Sequence, residues 1–156
     1  MKDIVNSFQT KKSETLSLRL WLQLMKCTKI VEAEVAGQFR RSHHQSLARF
    51  DLLSQLFRIE DGWVAIGEVA GKLMASGGNI TGLLDRMIAD GLVERRGSPI
   101  DRRSFQVRLT KYGKDRFLDM ADDHARWVEG ALGGILAKDK EQLIELLVRV
   151  RRAFEV

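Results

Sequence analysis

Apolar positions along this chain recur mostly at helical spacing, with one short stretch of strand-like alternation. The sharpest pattern lies at the centre. Ile80, Leu83, Leu84, Met87 and Ile88 are three or four apart, the period of a helix that buries one stripe. The opposite face carries Asn79, Thr81, Gly82, Asp85 and Arg86. Ser76 is placed to cap this helix and Gly91 to end it. Upstream, Ile66, Val69, Ala70 and Leu73 predict a shorter amphipathic helix, joined to the first by the tight turn from Met74 to Gly78. The pair has the form of a helix-turn-helix. Downstream, Leu92 to Arg96 reads as a strand, and Phe105, Val107 and Leu109 alternate with Gln106 and Arg108 as in a half-buried second strand. Between them the turn-rich loop from Gly97 to Arg103 carries Arg102 and Arg103 near its tip. Trp63 to Ile66 predicts a very short strand that adds to this hairpin. A helix-turn-helix followed by a basic hairpin is a winged helix.

The flanks are helical as well. Residues 1–13 are polar and read as a mobile or partly ordered arm. From Leu16 to Phe39 the apolar positions Leu16, Leu20, Trp21, Leu24, Ile30, Val31, Val35 and Phe39 predict a long helix, and Leu18 and Leu22 widen its apolar face beyond one stripe. A chain of this size has little core to cover so broad a face, which asks for a partner chain. Ser46 is placed to cap a helix with Leu47, Phe50, Leu53, Leu56 and Phe57 inside, ending at Glu60-Asp-Gly62. A further helix is predicted from Lys111 to Leu132, with Gly130, Gly133 and Gly134 fraying or bending its end. In the last, capped by Asp139, Leu143, Ile144, Leu147, Val148 and Val150 are expected to pack inward.

The segments Gly91-Leu-Val-Glu-Arg-Arg96, Asp101-Arg-Arg103 and Leu109-Thr-Lys-Tyr-Gly113, in this order and with the turn from Ser76 to Gly82, resemble the MarR family of transcriptional regulators. The resemblance implies a mainly α fold with a small β-hairpin wing, the first and last helices interlocking with those of a second copy. On that reading residues 1–156 form a single domain. Its winged-helix DNA-binding lobe covers about residues 46–112, and its dimerisation helices cover about 14–40 and 112–156.

Composition sharpens this reading. The length of 156 residues suits one core rather than two. The net charge of +5 would admit many partners, but its placement is selective. From Arg86 to Lys111 there are seven cations (Arg86, Arg95, Arg96, Arg102, Arg103, Arg108, Lys111) against Asp90, Glu94 and Asp101, so most of the excess falls on the helix end and hairpin. Double-stranded DNA, as a pseudo-palindromic operator, is the implied partner. Ser76, Gly78, Asn79, Thr81, Gly82 and Arg86 are the candidate contacts of the central helix, where an N-terminus favours anions and side-chain donors can reach base edges. Arg102 and Arg103 are the wing's candidates, with Asp101 holding Arg103 in direction.

Other chemistries are poorly supported. There is no nucleophile–base series, phosphate-binding P-loop or metal-ligand spacing, so neither an enzyme nor a cofactor is expected. His43 and His44 are adjacent and point apart on a helix, and with His124 they make no natural metal site. The single cysteine, Cys27, excludes an intrachain disulfide and reads as buried and inert, though one branch of the family senses peroxides through a first-helix cysteine. No signal-peptide core and no membrane-spanning apolar run is present, so a cytoplasmic protein is expected. Leu18 to Leu22 and Leu47 to Asp51 resemble family members that answer to aromatic carboxylates. The resemblance nominates Arg19 or Arg49 for a carboxylate, Trp21 and Phe50 for an apolar wall, and His44 at the rim. The same residues also fit a dimer interface and core. The function this supports is a homodimeric repressor released by a small aromatic or amphipathic acid. The alternatives are a ligand-independent architectural dimer and a cysteine-based redox sensor.

Overall fold

No glycine or proline interrupts residues 2–36, and one helix, α1, runs unbroken over Lys2–His43. In this computed structural model the described residues are 2–59, 62–71, 73, 80–98 and 104–155, with backbone alone for 2–13. The first residues are thus helical rather than a loose arm. With a turn already formed downstream, each further residue adds a hydrogen bond without a new nucleation cost. After α1 come α2 (Leu47–Phe57), β1 (Val64–Ala65), α3 (Ile66–Ala70), α4 (Ile80–Ala89), β2 (Val93–Gly97), β3 (Phe105–Leu109), α5 (Lys111–Leu132) and α6 (Ala137–Arg152).

The Ser46 hydroxyl caps α2 by accepting from the Arg49 N–H at 3.2 Å. Its buried stripe is Phe50, Leu52, Leu53 and Leu56. Leu52 therefore replaces Phe57, which stays partly exposed because α2 ends there, with Arg58 as its C-cap and before the expected stop at Gly62. Around this stripe gather Val35 and Phe39 of α1, Val69 of α3, Leu84 and Met87 of α4, Val107 of β3, and Phe117 and Met120 of α5. Burial of each such large side chain is worth roughly 1.5–3 kcal/mol, so every element from the end of α1 to the middle of α5 is anchored on one core.

The strands form an antiparallel sheet in the order β1-β3-β2, with Val64 opposite Val107 and Val93 opposite Leu109. Opposed residues share a face, so Val64, Val93, Val107 and Leu109 line the inner one. Phe105 alternates in phase with them but lies beyond the core and is 45% exposed.

The outer helices depart from the core. α5 has the expected bounds, its end marked by Gly133 as C-cap. Leu136 rather than Asp139 occupies the N-cap of α6, with no side-chain cap bond, and Asp139 sits in the first turn. The apolar residues of α6 do not pack inward: Leu143, Ile144, Leu147 and Val150 are exposed and none of the helix is buried. Leu16, Leu18, Leu20, Trp21, Leu22, Met25 and Ile30 of α1 are exposed too, because only the C-terminal part of that helix meets the core. Cys27 lies on this stretch and is exposed, not buried. Among the described residues no helix is long and apolar enough to cross a membrane.

Candidate nucleic-acid interface

The stripe read from the sequence orients α4. Leu84 and Met87 are fully buried, Ile80, Leu83 and Ile88 pack against the core, and Thr81, Asp85 and Arg86 are left outside. Gly91, at φ +71°, stops the helix: its N–H donates to the Ile88 carbonyl and that of Leu92 to the Met87 carbonyl, both at 3.0 Å. This pair of bonds is the Schellman closure, which needs a left-handed residue at that position. The chain then reverses directly into β2.

The hairpin is braced against α4. Asp85 accepts from Arg95 Nη1 at 3.3 Å, and the same guanidinium lies over the Phe105 ring, 5.3 Å from its centroid. Both charges are about half exposed, so the pair adds little stability, ~0–1 kcal/mol. What it supplies is direction, since one side chain touches both the helix and the far end of the hairpin. Arg86 is exposed and pairs with no carboxylate among the described residues. Thr81 and Gly82 lie on the same outward part of the helix. Ser76, Gly78, Asn79, Asp101, Arg102 and Arg103 lie outside the described residues.

The segment from Leu109 to Gly113 fixes where the sheet ends and α5 begins. The Thr110 hydroxyl donates to the Gly91 carbonyl at 2.7 Å and accepts from the Gly113 N–H at 2.9 Å, capping α5 while tying it to the end of α4. The wing, α4 and α5 meet at this one residue.

Arg49 and Phe50 lie behind this surface. Arg49 forms an ion pair with Asp90, the residue that follows α4, and its Nε atom is buried without an acceptor. Gln45 Oε1 nearby in sequence is likewise buried without a donor. Phe50 is in the core, 4.7 Å from Phe39, 4.6 Å from His124 and 5.5 Å from Phe117 between ring centroids. His44 is exposed at the α1–α2 junction with φ +54°. Arg19 and Trp21 lie on the exposed half of α1, about 33–36 Å along the helix from His43 at 1.5 Å per residue. One chain therefore places Arg49, Phe50 and His44 at the start of α2 and the turn before it, and does not bring Arg19 or Trp21 to them.

His43 Nε2 lies 2.8 Å from Asp123, which is also paired with Arg126. Those two hydrogen bonds, that of His43 first, hold the Asp123 carboxyl below its ordinary value. Burial pushes the His124 imidazole below the usual histidine value. Among the described residues no group of three histidine, cysteine or acidic side chains could hold a metal ion.

Sequence reasoning placed Asp85 on the outward face but not its partner, because pairing with Arg95 depends on how β2 folds back beside α4. It gave no site role to Asp90, nor to Trp63 beyond the start of a short strand, though the guanidinium groups of Arg96 and Arg108 both lie over the Trp63 ring.

The profile of the MarR family matches residues 46–105, from the cap of α2 to the start of β3. The chain is 28% identical over 131 residues to the HTH-type transcriptional repressor YetL of Bacillus subtilis, covering 84% of this chain and 78% of that protein. A MarR family transcriptional regulator from Silicibacter pomeroyi has a similar structure, with TM-score 0.79 and 28% identity over 90% of this chain and 96% of that one. Another, from Streptomyces coelicolor and crystallised in complex with DNA, has TM-score 0.76 and 18% identity, covering 86% of this chain and 84% of that one. A winged helix whose polar helix face stands beside a braced basic hairpin, within a fold shared over most of its length, places this chain in the MarR family of winged helix-turn-helix transcriptional regulators, which bind DNA and are not enzymes.

Proposed function

We propose that the protein is a homodimeric, cytoplasmic repressor that binds a pseudo-palindromic operator and is released by a small aromatic or amphipathic acid. The observation that carries this reading is the geometry of α4: a buried stripe, an outward face with Thr81 and an uncommitted Arg86, and the Asp85–Arg95 brace to a basic hairpin. In this reading α4 and the residues before it (Ser76, Gly78, Asn79) enter a major groove, and Arg102 and Arg103, steadied by Asp101, lie beside it. The exposed apolar faces of α1 and α6 cover each other in the dimer and set two lobes about one DNA turn, ~34 Å, apart.

The acid occupies the region of Arg49, Phe50 and His44, completed by Arg19 and Trp21 of the partner subunit. Arg49 links this region to the DNA-binding face, because its present carboxylate is that of Asp90, just past α4. A ligand carboxylate that takes Arg49 releases Asp90, shifting the population toward a lobe spacing that no longer fits the operator.

The test is binding to genomic fragments, including the gene's own upstream region, across a salt series with excess competitor DNA. Retention of a few fragments, falling steeply with salt, is expected for a specific regulator. Uniform retention would make it an architectural dimer, and no binding at low salt by folded dimer would sink the reading. Aromatic carboxylates are then screened for a rise in melting temperature. If saturating ligand leaves DNA affinity unchanged, the release mechanism is wrong.

A further inference from the structure

Trp63 lies one residue ahead of β1, half-buried, with the guanidinium of Arg96 at 4.4 Å and that of Arg108 at 4.6 Å from its ring centroid. Arg96 comes from β2 and Arg108 from β3, so a single ring engages side chains of both hairpin strands from the edge where β1 starts. The register explains how they meet. Glu94 opposes Arg108, and Arg96 and Ala65 both oppose Gln106, so these side chains share the outer face of the sheet. Each guanidinium is also fixed at its base: Arg96 Nε donates to Gln106 Oε1 at 3.0 Å and Arg108 Nε to Glu94 Oε1 at 2.7 Å. Neither arginine is therefore a loose cation that happens to drift over an indole.

β1 itself contributes only two residue pairs to the sheet. A two-stranded hairpin is marginal without a third strand or a packed face. On the inner face the core ends at Val107, and beyond it Phe105 is 45% exposed with Arg95 over its ring. On the outer face Trp63 ties β2, across β3, back to the body of the lobe.

We infer that Trp63 is the positioning residue of the wing, acting on DNA through the hairpin it clamps and not by touching DNA itself. Arg96 and Arg108, both held over its ring, keep β2 and β3 at a fixed angle to α4. That angle fixes the approach of the loop bearing Arg102 and Arg103 to the duplex backbone. The inference rests on the reading above that these two arginines contact DNA.

The experiment is a double-mutant cycle on the fragment retained best in the salt series, with every variant first checked for a cooperative melt. Trp63→Leu keeps apolar bulk without a π face, Trp63→Tyr keeps a π face, and Arg102→Ala/Arg103→Ala removes the arginines. In the wild-type background Trp63→Leu is expected to weaken binding by about tenfold, with Trp63→Tyr restoring most of the loss. In the Arg102→Ala/Arg103→Ala background the same change should cost less than about twofold, because the two sites act as one. A Trp63→Leu protein that binds like wild type, or that loses equally in both backgrounds, overturns the clamp while leaving the wing reading intact. If Arg102→Ala/Arg103→Ala itself binds like wild type, with an unchanged salt slope where a drop of about two is expected, the wing reading falls and takes the clamp with it.

Discussion

A Cβ added at Gly113 would stand 2.0 Å from the carbonyl oxygen of Leu92. That oxygen belongs to backbone committed elsewhere, since it accepts the Thr110 N–H at 3.1 Å. The clash cannot be relieved by turning a side chain. Residue 113 must be glycine for α5 to start where the sheet ends, and Thr110 must offer both a donor and an acceptor to hold that junction closed. The Leu109 to Gly113 segment is thus a hinge-pin between the DNA-binding face and the long helix behind it. Gly113→Ala is expected to cost about 3 kcal/mol, at the upper end of what overpacking does. The cost would be read as a lower urea midpoint at unchanged m-value. A loss below about 0.5 kcal/mol would mean that the junction yields easily and does not set the α5 position.

At the scale of elements, α1, α2 and α5 are joined by rings: Phe39, Phe50, Phe117, His124 and Trp127 form one cluster of tilted, stacked and edge-on contacts, with the His43–Asp123 pair at the edge. His124 lies 5.7 Å from Phe39 and 4.6 Å from Phe50, and burial there lowers its pKa below the ordinary 6.5. The unfolded chain therefore takes up a proton near pH 6.5 while the folded chain still refuses it. Stability is full above that pH and falls as pH drops from 6.5 toward the lowered native value. Asp123, also lowered, adds a loss only below its ordinary 3.8. His124→Phe should flatten the decline that sets in below about pH 6.5 in a series of urea midpoints, and an unchanged slope there would assign the effect to other groups. These elements were largely legible in the sequence. The α4 stripe, the β3 alternation and the span of α5 follow from period and caps, which are local properties. What Phe57, Phe105 and the α6 leucines touch is not local. Periodicity shows that a face is apolar, not what covers it, so all three were placed inside and lie exposed. The same limit applied at the candidate site. Thr81, Gly82 and Arg86 could be assigned to the outward face from spacing, while the Asp85–Arg95 and Arg49–Asp90 pairs depend on how separate elements dock.

The whole molecule, taken as one chain, leaves too much apolar surface in water. Ile30 is 69% exposed, Ile144 60% and Leu147 40%, on the two helices that extend away from the core. Contiguous apolar patches beyond a few hundred Å² mark association surfaces, and covering them gains roughly 25 cal/mol per Å². The exposed part of α1 and the whole of α6 lie outside the core that positions α4, so in the proposed dimer their apolar residues serve to hold two lobes at one separation. Two lobes on one duplex bind with the advantage of effective concentration, and a lone lobe forfeits it. Charge placed in the α6 face should therefore affect DNA binding from a distance. Ile144→Glu/Leu147→Glu is expected to sediment as a monomer with its near-ultraviolet spectrum retained, and to bind the operator at least about a hundredfold more weakly. The residual affinity should be that of a single half-site, with a correspondingly smaller salt slope. If the double variant stays dimeric, α6 is not the interface. If it is monomeric yet binds with full affinity, the two-lobe reading of the operator is wrong, and one lobe suffices.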